Sequence, residues 1–331
     1  MEIHLAPMEG LVDPTLRRIL TSIGGVDQCV TEFIRVSDVP LPRRVFHRTA
    51  PELAQGAVTA AGTPVHVQLL GSRGDMLAVN AARAAALGAP VVDLNFGCPA
   101  KTVNRHRGGA ILLQEPEVLY QLVSAVRGAL PGDIPVTAKM RLGYTDKSLA
   151  VECAQALEAG GAASITVHAR TKTDGYKPPA YWPWIDRIRE AVKVRIVANG
   201  EVWTLADYHQ CRTESGCEDV MLGRGLIARP DLALQVRQAL AGETVTPMTW
   251  QDFHPWLVDF YDEVVADFDG RHAPGRLKQW LNYLRLSYPE AETLFRLVRR
   301  EKDIATIHRQ LSEAAHLTAT VPAPKTATAI V

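Results

Sequence analysis

Charge of one sign is missing from this chain. Its 36 Lys and Arg balance 36 Asp and Glu, so no global field draws it to nucleic acid or to a membrane surface. Long apolar runs are missing too: none approaches the ~18 residues that a membrane span needs, and the first residues read as a strand rather than a signal peptide. Cysteine is sparse. The five residues Cys29, Cys98, Cys153, Cys211 and Cys217 are scattered, which excludes a disulfide scaffold and reads as reduced thiols in a cytosolic, cytoplasmic protein. No second Cys or His stands at ligand spacing beside Cys98, so no metal site is expected. No GxGxxG follows the first strand-like segment, so the usual dinucleotide fingerprint of an open doubly wound sheet is absent as well.

What the chain does have is alternation. Eight short apolar segments read as strands: Ile3–Pro7, Cys29–Phe33, Val65–Leu70, Val91–Asn95, Pro135–Arg141, Ile165–Arg170, Arg195–Ala198 and Val220–Gly223. Helical stretches fall between them at Thr15–Ile23, Asp75–Leu87, Glu117–Ala129, Leu149–Ala159, Trp184–Ala191 and Thr204–Ser215. Gly88, Gly160-Gly161 and Gly216 sit where helices should end before strands. Apolar strands alternating with helices predict a parallel sheet covered on both faces, and eight of them predict a closed (β/α)8 TIM barrel. The segment from Asp38 to Thr63 shows no strand and reads as an excursion on the rim.

Composition shifts near Gly242, Thr246 and Pro247, which predicts a catalytic barrel over 1–242 and a small C-terminal α-helical bundle over 249–316. Its helices are expected at Trp250–Phe268, Arg276–Ser287, Ala291–Glu301 and Ile304–His316, with 317–331 as a loose tail. Leu277, Trp280, Leu281 and Leu284 form an apolar stripe at helical spacing. The neutral total hides an asymmetry. Residues 241–270 carry seven acidic residues and no Lys or Arg, whereas 271–309 carry nine Lys or Arg against four acidic residues. Arg296, Arg299 and Arg300 share one helix face by spacing, and so do Lys278, Asn282 and Arg285. A solvated face would explain them; so would an anionic partner such as RNA, with Trp280 and Tyr283 beside the cations.

The stretch VVDLNFGCPAKTVNRHRGGA, residues 91–110, carries the chemistry. A strand breaks at Gly97-Cys98-Pro99 and leaves a lone thiol on a loop, with Lys101, Asn104, Arg105, His106 and Arg107 following; a thiol there can be a nucleophile, a metal ligand, a general acid or a buried small hydrophobe. That end of a barrel strand is where active sites form. The other strand ends are polar too: Pro7-Met8, Glu32 and Arg35, Gln68, Asn95, Lys139 and Arg141, His168 and Arg170, Asn199-Gly200-Glu201, and Gly223-Arg224-Gly225. Polar groups at the ends of apolar strands imply a bound ligand. The last two sets suit a phosphate, and a cation at Lys139 suits the negative charge of a reduced flavin ring.

The segment from Val92 to Pro99, with Gly109-Ala110, resembles the signature of the tRNA-dihydrouridine synthases. Leu5-Ala6-Pro7-Met8-Glu9-Gly10, Lys139-x-Arg141-x-Gly143, His168-x-Arg170-Thr171, Ala198-Asn199-Gly200 and Gly223-Arg224-Gly225 also match in order. The resemblance covers residues 2 to 316. It is strongest to the DusC branch, through Arg35 and Arg276-x-Lys278-Gln279-Trp280, with departures at Phe96, Ala100, Arg105-His106-Arg107 and in the tail. It implies an FMN enzyme that uses NADPH to reduce one D-loop uridine of tRNA, position 16 in that branch. It implies Cys98 as proton donor, and FMN held by Pro7, Met8, Glu9, Gln68, Lys139, His168, Asn199, Gly200, Glu201, Gly223 and Arg224. Asn95 would hold the flipped uracil, and Arg35, Arg141, Arg170, Arg276, Lys278 and Arg299 would meet RNA. No membrane and no obligate protein partner are expected. Nearby Lys and Arg are expected to lower the Cys98 pKa, and a loop that brings the thiol in only with substrate would fit. Two other readings remain: a flavin barrel acting on a free pyrimidine, like dihydroorotate dehydrogenases, and a non-redox phosphate-binding barrel or RNA-binding relic.

Overall fold

The structure, a computed structural model, describes residues 1–267 and 272–317. It holds nine parallel strands: β1 Ile3–Leu5, β2 Gln28–Val30, β3 Ile34–Arg35, β4 Val65–Leu70, β5 Val92–Phe96, β6 Val136–Arg141, β7 Ser164–His168, β8 Arg195–Asn199 and β9 Asp219–Leu222. Each strand from β4 to β9 pairs with the next, β9 pairs with β1, β1 with β2, and β2 with β4. The sheet therefore closes into a TIM barrel in which β2 and β3 are two pieces of one barrel position.

The second expected strand differs from Cys29–Phe33 for a local reason. Thr31 still donates its amide to the His66 carbonyl, and its hydroxyl accepts the Gln68 amide. Glu32 then turns its carboxylate to the Gly10 amide, and pairing resumes only at Ile34, opposite Leu69. The rim excursion is not wholly irregular: it carries the helix Arg43–Thr49 and a 3-10 turn at Pro51–Gln55.

Period-two alternation decides what fills the barrel. Ala6, Val30, Val197 and Met221 form an apolar plug. One or two residues further along the strands, the alternate positions become Asn95, Lys139, His168 and Asn199. The opposite end is also polar, with buried His4 and His66. The six helices expected between the strands form within a residue or two of the expected bounds; Trp182–Ala191 starts earliest, with Pro183 in its first turn.

By packing, the chain divides into two compact units. The first is Met1–Pro14, Val26–Val202 and Ala206–Gly223, and holds every strand; the second is Thr15–Gly25, Trp203–Leu205 and the chain from Arg224 on. From Arg224 on, the second unit's helices are Arg224–Ala228, Leu232–Leu240, Trp250–Asp267, Ala273–Leu284, Pro289–Val298 and Ile304–Glu313, the last followed by a 3-10 turn at Ala314–His316. The first two of these were not expected from the sequence. Of the expected helix Trp250–Phe268, Phe268 lies outside the described residues, as do 318–331 of the expected tail. The stripe of Leu277, Trp280, Leu281 and Leu284 is fully buried. Trp280 donates its indole N–H to the Ile227 carbonyl at 3.1 Å and lies edge-on to Phe253 and Phe260. It is core, not a platform for bases, which corrects its expected place beside the cations. Arg18 joins the same unit through Asp259 at 2.7 Å and Glu263.

Candidate active site

Cys98 lies two residues past the end of β5 and is only 9% exposed. It packs with Leu70, Val103 and Phe33. Its backbone is fastened on both sides. The Asn95 side-chain oxygen accepts the amides of Gly97 and Cys98, each at 2.9 Å. The Cys98 carbonyl accepts from the Asn104 side-chain amide at 2.9 Å and from the Ala110 amide at 3.2 Å. Asn104 also donates to the Ala100 carbonyl and accepts the Ile111 amide, both at 2.8 Å. Gly109 closes the other wall. Its φ is +66°, and a Cβ there would stand 2.8 Å from the Cys98 carbonyl oxygen, which no side-chain-bearing residue tolerates.

The expected electrostatics of the thiol are overturned. Burial pushes the Cys98 pKa up, and Glu9 adds to it; a hydrogen bond from the Ala100 amide, then Arg141 and Arg35, pull the other way without prevailing. The flanking cations do not reach the sulfur environment. The chain past Pro99 coils into the helix Lys101–Arg105, leaving Lys101, Arg105, His106 and Arg107 exposed, and Arg107 pairs with Glu115 at 2.6 Å. The expected moving loop is, in this structure, a clamped one.

The strand ends around it form two hydrogen-bonded chains. Asn95 donates to the Gln68 side-chain oxygen at 2.7 Å, and Gln68 donates to Asp93 at 2.7 Å. Asp93 also accepts the Thr137 hydroxyl at 2.6 Å; burial raises its pKa, and those two hydrogen bonds and the Lys139 cation oppose the rise. Lys139 donates to Asn199 at 3.1 Å, and Asn199 donates to the Met221 carbonyl at 2.8 Å. Burial, and then the Arg141 cation, bring the Lys139 pKa down to about 8, against the pull of Asp93. His168 is buried, 5.9 Å from the Tyr176 ring. Gly200, at φ +117°, leaves room for it: a Cβ would lie 2.7 Å from His168 Cδ2.

The remaining expected site residues separate into groups. In the first unit Met8 accepts the amides of Leu11 and Val12, and Pro7 is half-buried beside it. Glu9 is exposed, its pKa raised by partial burial and by Glu32. Gly223 has only Ala6 Cβ and Met8 Sδ near the place a Cβ would take. Arg35 is exposed at the end of β3. Arg141 is buried and turned inward: it donates to the carbonyls of Gly97 at 2.8 Å, Thr171 at 3.1 Å and Gly175 at 3.0 Å, under the Tyr176 ring. Arg170 is fully buried, donating to the Lys177 carbonyl at 2.7 Å and pairing with Glu201, itself at φ +60°. A sealed guanidinium cannot meet RNA, so the expected contact at Arg170 is replaced by an internal one.

In the second unit Arg224 opens a helix and lies 5.0 Å over the Trp203 ring. Arg276 bonds Gln279 and lies over Phe260, and Lys278 donates to the Glu301 carbonyl. The helix expected over Ala291–Glu301 ends at Val298, so Arg299 caps it, exposed, while Arg296 pairs with Glu292 at 2.7 Å. The roles of three participants escaped the sequence reading: Asn104, Asp93 and Tyr176. Asp93 carried a signal, a carboxylate inside an apolar strand; Asn104 and Tyr176 carried none.

Among the described residues no helix is long and apolar enough to cross a membrane, and no three His, Cys, Asp or Glu gather as metal ligands. The chain is similar in fold to histamine dehydrogenase from Rhizobium sp. 4-9, at TM-score 0.55 and 13% identity, over 79% of this chain and 48% of that one. A 2-naphthoyl-CoA reductase compares equally, at TM-score 0.55 and 13% identity, over 73% of this chain and 50% of that one. Both speak to the fold alone. Sequence says more. A tRNA-dihydrouridine(16) synthase of Pseudomonas putida is 58% identical over 96% of this chain and 98% of its own length. One of Pseudomonas syringae pv. tomato is 60% identical over 92% and 96%, and one of Neisseria meningitidis serogroup A is 49% identical over 95% of each. The profile of the dihydrouridine synthases, Dus, matches residues 4–316, and the chain belongs to that family.

Proposed function

We propose that this chain reduces the uridine at position 16 of the tRNA D-loop to 5,6-dihydrouridine, with FMN as carrier and NADPH as reductant. The relatives named for that position support the choice of uridine. The observation that carries the chemistry is the clamped and buried thiol of Cys98, its pKa raised by that burial, on the same barrel rim as Lys139, His168 and Asn199.

The residues present fit a flavin mononucleotide. Lys139 is half-buried and donates to the neutral Asn199 amide, a donor suited to the negative edge of a reduced flavin ring. Gly200 and Gly223 leave backbone bare where a phosphate can approach, with His168 beside the first. Pro7, Met8, Gln68 and Asn199 would line the ring; Glu9, Glu201 and Arg224 complete the set carried by the resemblance. A bound reduced flavin supplies the hydride for carbon 6 of the uracil.

The protein's own work is at carbon 5. Hydride addition leaves an enolate, and Cys98 protonates it; a thiol kept above its ordinary pKa arrives with its proton on. Asn95 spends its oxygen on the Cys98 loop and one amide hydrogen on Gln68, leaving the other for a uracil carbonyl. Arg141 holds the Cys98 loop to the loop after β7 from beneath. The base must leave its stack to reach the barrel mouth. Arg35 in the first unit, and Arg276, Lys278 and Arg299 in the second, would hold RNA. The catalytic part is 1–242 and the RNA-binding part 249–316, working in the cytoplasm where tRNA is found.

The test is a map of dihydrouridine in tRNA from cells lacking this gene, restored with the wild type or with Cys98→Ala. Loss at position 16, rescued by the first and not the second, is the expected result; Cys98→Ala should keep its flavin and lose at least ~10²-fold in turnover. Loss at another D-loop uridine would overturn the position, and no loss anywhere would overturn the substrate.

A further inference from the structure

We propose that the helix Arg43–Thr49, on the rim of the first unit, is an RNA-phosphate contact through Arg43, Arg44 and Arg48. From Val39 to Ala50 the chain holds four basic side chains, Arg43, Arg44, His47 and Arg48, and no acidic one. The three arginines are exposed. Among the described residues, no hydrogen bond or ion pair engages any of their side chains. The neighbouring cations are otherwise occupied: Arg73 pairs with Asp38 and Asp75, and Arg83 donates to the Leu41 carbonyl.

Fold stability does not account for this pattern. Arg48 and His47 lie in the last turn, where a cation suits the helix dipole. Arg43 and Arg44 lie in the first turn, side by side at the positive end, where no acidic residue is present and an arginine is unfavourable. The helix is anchored by other means. Phe46 is its fully buried side chain, and Leu41 just before it is held by Asn80, whose side-chain oxygen accepts the Leu41 amide at 2.8 Å. Asn80 is itself buried and fixed to the Met76 carbonyl at 2.8 Å. The anchored helix thus presents a cluster of cations that have no side-chain hydrogen bond or ion pair among the described residues.

Its place selects the partner. The segment leaves β3 directly after Arg35, and β3 is parallel to β4, which is parallel to β5. The helix therefore follows the same barrel rim that carries the Cys98 loop, and Phe33 at the root of the segment packs on the Cys98 cluster. A polyanion brought to this rim meets these arginines. The RNA substrate of the family is such a polyanion, and phosphates demand neither sequence nor shape from the protein beyond exposed cations.

The test compares wild type with the triple variant Arg43→Gln, Arg44→Gln, Arg48→Gln, both as flavin-loaded full chains. Affinity for an unmodified tRNA transcript is measured from low to moderate salt. The variant should bind on the order of tenfold more weakly or worse, and the slope of log affinity against log salt should shrink by about 2 to 3. Flavin content and melting temperature should not move, and the Arg→Lys triple should restore binding. Unchanged affinity and slope in the Gln variant would overturn the proposal and leave the arginines to another partner. A wild type that binds no tRNA would overturn the reading of tRNA as substrate beneath it.

Discussion

Asn104→Ala is the sharpest probe of how the thiol is held. The substitution removes three hydrogen bonds: two donated to the Cys98 and Ala100 carbonyls and one accepted from the Ile111 amide. The Cys98 carbonyl keeps the Ala110 amide and the Ala100 carbonyl keeps the Asn104 amide, so only the Ile111 amide is orphaned. At about 1 kcal/mol for each bond lost, rather more for the orphan, the change destabilises by about 3 kcal/mol. That is well within what a domain of this size survives, but it falls on the one loop that carries the thiol.

The assay is alkylation. All five cysteines are buried, and burial pushes Cys153 and Cys211 up to about 12 and Cys217 to about 11. Cys98 is raised without so large a shift, so it should be the most reactive of these four thiols toward iodoacetamide near pH 8. Asn104→Ala should speed its alkylation by about tenfold as the loop opens, slow tRNA-dependent reoxidation of the flavin, and leave flavin reduction by NADPH alone. Asn104→Asp should behave differently: it can still accept the Ile111 amide but sets a carboxylate against two carbonyls, near the thiol. Its loop should loosen while the added negative charge holds the thiol protonated, so alkylation gains less than in the Ala variant. An Ala variant with wild-type alkylation and reoxidation rates would refute the idea that the clamp positions Cys98.

Further outcomes follow from the same geometry. Lys139, with its pKa down to about 8, loses its charge as pH rises through that value, so the rate should begin to fall near pH 8, below the thiol's own limb; Lys139→Arg should push the fall upward, visible in a pH–rate profile. His66 is buried with a pKa of about 4, so between roughly 6.5 and 4 the unfolded chain binds a proton that the folded chain refuses. Its contribution is complete above pH 6.5 and lost on acidification, about 2 kcal/mol by pH 5; His66→Gln should flatten that limb in denaturant titrations, and an unchanged limb would assign it elsewhere. Trp280→Ala removes a fully buried indole and should cost about 3 to 5 kcal/mol by chemical denaturation, a core effect rather than a lost base platform.

The barrel was legible because a closed parallel sheet buries both faces, and its strands show as short apolar runs between glycine-ended helices. Boundaries were not: the glycines of Gly223-Arg224-Gly225 mark a turn after β9 but hide that a helix starts at once, and Leu226-Ile227-Ala228 reads as readily as strand as helix. The polar strand ends were found from composition alone, since Asn95, Lys139 and Asn199 interrupt apolar segments. What each side chain does there was not. Arg141 and Arg170 have the same sequence signature as surface cations, and only packing reveals that both turn inward, to carbonyls and to Glu201. The Arg43 helix was passed over because its periodic apolar signal is a single Phe46.

Burial and the backbone clamps favour Cys98 as an acid over a nucleophile, and the direction of its pKa shift agrees. A nucleophilic thiol needs cations or a helix N-terminus to hold it as thiolate at working pH. The sequence places four basic residues, Lys101, Arg105, His106 and Arg107, within ten positions of Cys98 and so favours a lowered pKa. Folding removes them. Coiling of Lys101–Arg105 carries the flanking charges to solvent, and burial among Leu70, Val103 and Phe33 leaves the proton in place. The Ala100 amide and the cations that remain near, Arg141 and Arg35, weaken the rise without reversing it. The Asn95 and Asn104 clamps then supply a fixed position, from which one proton would reach one face of one carbon.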